Sequence, residues 1–285
     1  MGHGIAQVFA LAGHDVTITD AVMSSLDSAK SRIAANLRGL GEDESSVERV
    51  RATADLADAV RDADYVVEAV SEDLPLKQKL FAEVERQVRP DTILASNTSV
   101  IPITAIMQGL DRRERALGTH WWNPPFLVPL VEVIETQWTS PPTVAWTMQL
   151  HEAAGKQPAH VKKDVPGFIG NRLQHALWRE AIALVEQGIC DAETVDTVIK
   201  ASFGRRLSVL GPLENADMVG TDLTLAIHNI VLPAIDSRPG PSPYLRKLVA
   251  DGKLGFKTGE GFRKWSADEQ AALRAKLLQH LKAMQ

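Results

Sequence analysis

This sequence predicts an α/β chain: a doubly wound sheet over residues 1–165, then an all-helical domain over residues 166–285. Three observations carry the prediction. Helical and strand patterns alternate through the first half, which is the signature of strands joined by crossover helices. The strand patterns are short apolar runs, as expected for strands buried on both faces. From Phe168 to the end, helical periodicity continues and strand signal almost vanishes.

The elements follow in order. Ile5, Val8, Phe9 and Leu11 recur at helical spacing. "AGHD" makes a turn, and "VTITD" reads as a strand ending in Asp20. A helix is predicted over about Met23–Leu40, followed by an acidic loop, "GEDESS". "LADAVRDA" gives a short helix and "DYVVEAV" a buried strand. "LPLKQKLFAEVERQV" is a helix with Pro75 in its first turn, where its missing N–H costs nothing. "TILAS", "ALGTHWW" and "LVEVIET" are strands, and a helix over Thr143–Ala154 leads to a last strand in "PAHVKKD". Strands separated by helices imply parallel pairing. Pro166 and Gly167 place the domain boundary near Asp164–Gly167. Beyond it, "IGNRLQHALWREAIALVEQG" is long and amphipathic, and "DAETVDTVIKASFG" follows with an N-terminal acid.

Composition narrows the function classes. The chain is 45% hydrophobic and 24% charged, ordinary for a globular protein. Cys190 is the only cysteine, so no internal disulfide can form, which fits a reducing compartment. A net charge of −5 with no basic block argues against nucleic acid as a partner. The first residues lack a basic start followed by an apolar run, and no apolar stretch has the length of a membrane span. A cytoplasmic protein with no membrane partner is the expectation.

"MGHGIAQVFALAGHDVTITD" reads as the second half of a dinucleotide-binding fingerprint. Glycines at such a turn let backbone approach a pyrophosphate, and the helix N-terminus faces its charge. Gly2 stands where the last glycine belongs and Asp20 where an acid takes the ribose hydroxyls. A carboxylate there favours NAD over its 2′-phosphorylated relative. Gly4 allows close helix–sheet packing. Glu72 and Lys77 lie just beyond the "DYVVEAV" strand, at the sheet's ligand-binding end, or are a loop acid and a surface lysine.

"THWWNPP" carries the chemistry. His120 ends one predicted strand, and Glu132 lies inside another. An acid in an apolar strand is expensive unless it is paired. A histidine partner would satisfy it and make a proton-transfer device; a purely structural pair is the alternative. Ser99 in "SNTS" and Asn171 in "GFIGNR" can hold a substrate oxygen, or serve as turn and cap residues. Asn123 holds its loop or touches substrate. Trp121 and Trp122 line a substrate wall or fill the core.

These pieces together resemble the 3-hydroxyacyl-CoA dehydrogenase family. The matching stretches are "MGHGIAQVFALAGHDVTITD", "VVEAVSEDLPLKQKLFAEV", "ASNTSVIPIT", "GTHWWNPP…LVEVIET", "VPGFIGNR", "GPLENADMVGTDL" and "KLGFKTGEGF", in family order over almost the whole chain. The resemblance implies a Rossmann-type domain, its first strand missing from this sequence, and a helical domain that forms a homodimer. It implies NAD as cofactor and hydride transfer at the carbinol carbon of an L-3-hydroxyacyl substrate, such as 3-hydroxybutyryl-CoA. It gives His120 the role of general base and acid, with Glu132 as its partner. Ser99 and Asn171 would hold the reacting oxygen, with Asn123 beside the substrate. Gly2, Asp20, Glu72, Lys77 and Asn97 would contact the cofactor.

Two departures bear on the substrate. "WWNPP" replaces the "FFNP" typical of acyl-CoA members, and Pro129 stands where they carry lysine. Both features resemble the gulonate dehydrogenase (lambda-crystallin) branch and the branch acting on pyridine-carboxylate intermediates of vitamin B6 breakdown. The segment after Asp20 offers Lys30, Arg32 and Arg38, then turns acidic, a poor grip for coenzyme A phosphates. A free small hydroxy acid, or a hydroxymethyl or formyl heteroaromatic carboxylate, is therefore the second substrate expectation. An inactive structural dimer of the same fold is the third reading. Met1 is expected to be an internal methionine taken as a start, or the scar of a truncation, with an apolar strand ending in Gly-x-Gly encoded upstream.

Overall fold

The computed structural model describes residues 1–284. Two compact units emerge: residues 1–172 with the described residues from 279 on, and residues 173–278.

In the first unit, α1 (Gly2–Leu11) buries every residue from Gly4 to Ala10. Its opposite faces serve two clusters: Ile5, Val8 and Phe9 pack with Trp121 and Val131, while Ala6 and Ala10 pack with Ile33, Leu37 and Val50. β1 (Val16–Ile18) follows, then α2 (Met23–Leu40), whose buried Leu26, Ala29, Ile33 and Leu37 fall on one stripe. Gly41 ends it at φ 75, a left-handed cap that glycine adopts without steric cost. β2 (Val50–Ala52) pairs parallel with β1. This strand sits in a stretch whose sequence shows only an acidic loop; at three residues it is too short to give an alternation signal.

A five-stranded sheet holds the rest of the unit, in the order of its sequence. After α3 (Leu56–Val60) come β3 (Tyr65–Glu68), α4 (Leu74–Glu85), β4 (Ile93–Ser96), α5 (Ile103–Met107) and β5 (Ala116–Trp121). β6 (Leu130–Ile134), α6 (Pro141–Ala153) and β7 (Gln157–Val161) complete it. Asp55 and Asp73 cap α3 and α4 with their carboxylates. All neighbouring pairs are parallel except β5 and β6, which run antiparallel. The "WNPPFLVP" connection between β5 and β6 contains no helix to carry the chain back across the sheet, so the parallel pairing expected of strands separated by helices does not apply to this pair. The main core lies under β3–β5, where Phe81, Leu94, Ile103, Met107, Ile134 and Phe168 are buried.

The second unit is helical. α7 (Gly170–Glu186) enters it, and α8 (Ala192–Ala201), α9 (Pro212–Val219), α10 (Thr221–Val231), α11 (Pro243–Ala250) and most of α12 (Ala267–Lys282) follow. Only Ala183 and Leu248 are buried among residues 173–278. The mixed sheet followed by a helical domain is the fold class that the sequence predicts.

α6 carries a fully buried histidine, His151, ringed by Phe9, Tyr65 and Trp121. Its Nδ1 donates to the Thr147 carbonyl at 2.7 Å, and Nε2 has no partner. Burial pushes its pKa down to about 4, against the pull of that carbonyl and with a small push from Lys156. Unfolded, the imidazole takes its proton near pH 6.5. Between those values the unfolded chain binds more protons, so stability present above pH 6.5 is lost as pH falls toward 4. From about pH 7 to about pH 5 this one group costs about 2 kcal/mol. Urea midpoints across that range should fall less steeply for His151→Leu than for the native chain.

Candidate functional site

The site starts from the one antiparallel pair in the sheet. Its register sets His120 of β5 directly opposite Glu132 of β6. His120 Nδ1 and Glu132 Oε2 lie 2.8 Å apart, with the residues 4% and 1% exposed. The other carboxylate oxygen accepts two backbone N–H groups, from Ile169 at 2.8 Å and Gly170 at 3.0 Å. Those amides belong to the entry of α7, whose dipole also favours an anion there. Burial acts to raise the Glu132 pKa. The bonds from His120, Gly170 and Ile169 outweigh it, so the carboxyl is held below its ordinary range. An ionised Glu132 accepts a hydrogen bond from Nδ1–H, which leaves Nε2 as the ring nitrogen that can exchange a proton with a ligand.

Ser99 follows β4, and the Asn171 side-chain amide donates to its backbone carbonyl at 2.9 Å. The Ser99 hydroxyl makes no hydrogen bond within the described residues. Glu72 holds this loop: it accepts the Ser99 N–H at 2.5 Å and the Thr98 hydroxyl at 2.7 Å. Asn97 accepts the Trp121 N–H at 2.8 Å and so ties the end of β4 to β5. Asn123 is exposed and is not joined by hydrogen bonds to these groups. Trp121 is core; Trp122 is half-buried, with its ring 5.4 Å from that of His120.

Lys77 is fully buried. Its ammonium donates to Glu68 Oε1 at 2.7 Å and lies 3.9 Å from Glu72. Glu68, on β3, also accepts the Ser96 hydroxyl at 2.7 Å and the Val70 N–H at 2.6 Å. Sequence reasoning named Lys77 and passed over Glu68, Ser96 and the two α7 amides. Glu68 carried the same signal that singled out Glu132, an acid within an apolar strand. The amides carried none, because every residue has one.

The first turn of α1 has no side-chain cap, and a β-carbon on Gly2 would meet nothing. One on Gly4 would lie 2.6 Å from Pro125 Cγ, so this glycine seats α1 on the "NPP" loop. Asp20 is exposed at the end of β1, one oxygen accepting the Val22 N–H at 2.8 Å. Uncapped amides suit a pyrophosphate and the exposed carboxylate suits ribose hydroxyls, so these groups fit a dinucleotide. Among the described residues there is no cluster of metal-ligating side chains, and no helix is long and apolar enough to cross a membrane.

Residues 1–165 match the family model for the 3-hydroxyacyl-CoA dehydrogenase NAD binding domain, and residues 167–265 match that family's C-terminal domain. The chain is 35% identical, over 100% of its length and 94% of the relative's, to 5-formyl-3-hydroxy-2-methylpyridine 4-carboxylate 5-dehydrogenase of Mesorhizobium japonicum. A protein of Deinococcus radiodurans named probable 3-hydroxybutyryl-CoA dehydrogenase is 40% identical, over 93% of this chain and 96% of the relative. Among solved structures, that of a 5-formyl-3-hydroxy-2-methylpyridine 4-carboxylic acid 5-dehydrogenase, described as an NAD+-dependent dismutase, superposes with a TM-score of 0.93. It covers 100% of this chain and 94% of that one at 35% identity. The (S)-3-hydroxybutyryl-CoA dehydrogenase of Ralstonia eutropha gives 0.78 over 93% of this chain and 95% of that one, at 33% identity.

Removing one partner of a buried ion pair strands the other charge. Lys77→Met should therefore destabilise the fold by about 3–5 kcal/mol in chemical denaturation. Adding Glu68→Leu should restore most of that loss.

Proposed function

This chain belongs to the 3-hydroxyacyl-CoA dehydrogenase family and is an NAD-dependent oxidoreductase; from that premise we propose that it oxidises and reduces a small free substrate. The substrate would be a hydroxylated or formylated carboxylate of heteroaromatic type. The observation that carries the substrate class is the backbone match of 0.93 to the pyridine-carboxylate dehydrogenase, against 0.78 for a thioester enzyme of similar identity. Charge supports it: of the three basic residues after Asp20, Arg38 is taken up by both oxygens of Glu44, at 3.0 and 2.7 Å. That leaves Lys30 and Arg32 of the three for the phosphates of a coenzyme A thioester.

In the oxidation, His120 Nε2 takes the hydroxyl proton of the substrate. The ionised Glu132 stabilises the imidazolium that forms, and its own hydrogen bonds keep it from taking the proton instead. Ser99 and Asn171 hold the reacting oxygen, where negative charge develops. In reduction the same groups run backward. Gly2 and Asp20 hold the dinucleotide, and Asn97 and Glu72, with the buried Lys77 behind it, shape its nicotinamide end. NAD supplies the hydride acceptor when bound. Asn123, exposed on its loop, lies at the substrate's outer edge.

The partner is a second copy of the chain. α9 and α10 leave Leu213, Met218, Leu225 and Ile230 between 62% and 78% exposed, apolar side chains of the kind that mark a protein interface. Light scattering should report a dimer, and Ile230→Asp should shift it toward monomer.

NADH consumption with a pyridine aldehyde carboxylate, compared with acetoacetyl-CoA, tests the substrate class. Turnover of the pyridine compound is expected; turnover of acetoacetyl-CoA alone would return the assignment to the thioester. His120→Ala should lower kcat about 10²- to 10⁴-fold while NADH binding, followed by fluorescence, is retained. Equal turnover by both proteins would remove His120 from the reaction.

A further inference from the structure

We propose that Trp122 and Gly170 form a matched positioning pair, in which the indole fills the space a β-carbon on residue 170 would need and so sets how the first turn of α7 seats over Glu132. A β-carbon built on Gly170 would lie 2.4 Å from Trp122 Cζ2, 3.3 Å from Cε2 and 3.4 Å from Cη2. The indole Nε1 is buried and has no hydrogen-bond partner. Shape, and not a polar bond from that nitrogen, therefore holds the ring in place. Retreat toward the core is blocked, because the Trp122 ring stands against His120, and His120 stands 5.6 Å from the fully buried ring of Phe168.

The chain reaches this point through a tight turn. Gly167 has φ 75, and Phe168 has φ 50, the one positive value at a non-glycine among the described residues. Phe168 N–H closes the turn on the Val165 carbonyl at 3.0 Å. A side chain accepts such a backbone only where surrounding packing over-determines it. From this turn, four consecutive residues make linked contacts. Phe168 fills the core beside His120, Ile169 and Gly170 donate to Glu132, and Asn171 donates to Ser99.

Carbon–carbon contacts rest near ~3.5–4.0 Å, so a β-carbon at residue 170 would force the backbone at residue 170 away from Trp122 by about 1 Å or more. The same displacement takes both amide bonds to Glu132 out of hydrogen-bonding range. The absence of one carbon at residue 170 thus supports the ionised state of a carboxylate on β6. The consequence for proton transfer rests on the role proposed for Glu132 above; the seating itself does not.

The experiment is a double-mutant cycle in the full chain with Gly170→Ala, Trp122→Phe and the combination. Thermal midpoints are read together with kcat and KM in the NADH assay. Alanine is favoured over glycine in a helix, so without a clash Gly170→Ala should stabilise. We expect it to lower the midpoint in the native background and raise it beside Trp122→Phe, which removes the clashing atom. Gly170→Ala alone should reduce kcat at least tenfold with KM for NADH unchanged, and the combination should return kcat to the level of Trp122→Phe. Failure to fold in the native background with recovery beside Trp122→Phe is the same result in stronger form. A raised midpoint for Gly170→Ala in the native background overturns the pairing. So does an equal loss, or unfolding, in both backgrounds. Should no substrate be turned over by any of the four proteins, the proton-transfer reading fails, while the reversal in midpoint still decides the seating.

Discussion

A buried carboxylate must be satisfied on every side, and Glu132 is the point on which the bonding between β5, β6 and the start of α7 turns. One oxygen meets His120 across the β5–β6 ladder, and the other takes two amides from the entry of α7. Neither set alone suffices. The imidazole supplies a partner and a route for the proton, while the amides supply fixed positive charge that does not titrate. Placing the carboxylate therefore commits the chain to one antiparallel register, to the sharp turn at Gly167 and Phe168, and to a helix that begins at Gly170.

The same constraint operates a second time on β3. Glu68 is buried and is satisfied by Lys77, Ser96 and the Val70 amide. Glu72 then continues the chain of bonds through Thr98 and Ser99, and Asn171 closes it from α7. The carboxyl ends of β3 and β4 are thus joined to the start of α7 by side-chain and backbone bonds. Sheets of this kind bind ligands at those ends, where backbone partners run out and side chains must complete the bonding. Two acids inside apolar strands hold that edge rigid.

Much of this was legible in the residues. Crossover helices and buried strands follow from the periods of their apolar positions, so α1, α2, α4 and the strands from β3 to β7 fall where the sequence predicts them. β2 is too short to show a period, and the antiparallel turn at β6 depends on a helix that is missing, a weaker signal than one that is present. His120, Glu132, Ser99 and Asn171 were nameable because each is a polar residue at an element end or within an apolar run. Glu68 was nameable by the same rule. Lys77 was nameable, but its depth was not, because a lysine on a helix shows the same letter whether its head meets water or a carboxylate.

By itself the sequence determined the fold class, the resemblance to one family, and the chemical types available at the sheet's carboxyl edge. Those depend on local periodicity and on side chains that bring their own acid–base character. Only the tertiary structure decided which groups meet: that His120 faces Glu132, that Lys77 is sealed behind Glu68, and that Trp122 occupies the place of a missing β-carbon at Gly170. Such pairings are set by strand register and by close-packed volume, properties of the folded chain that no residue carries alone.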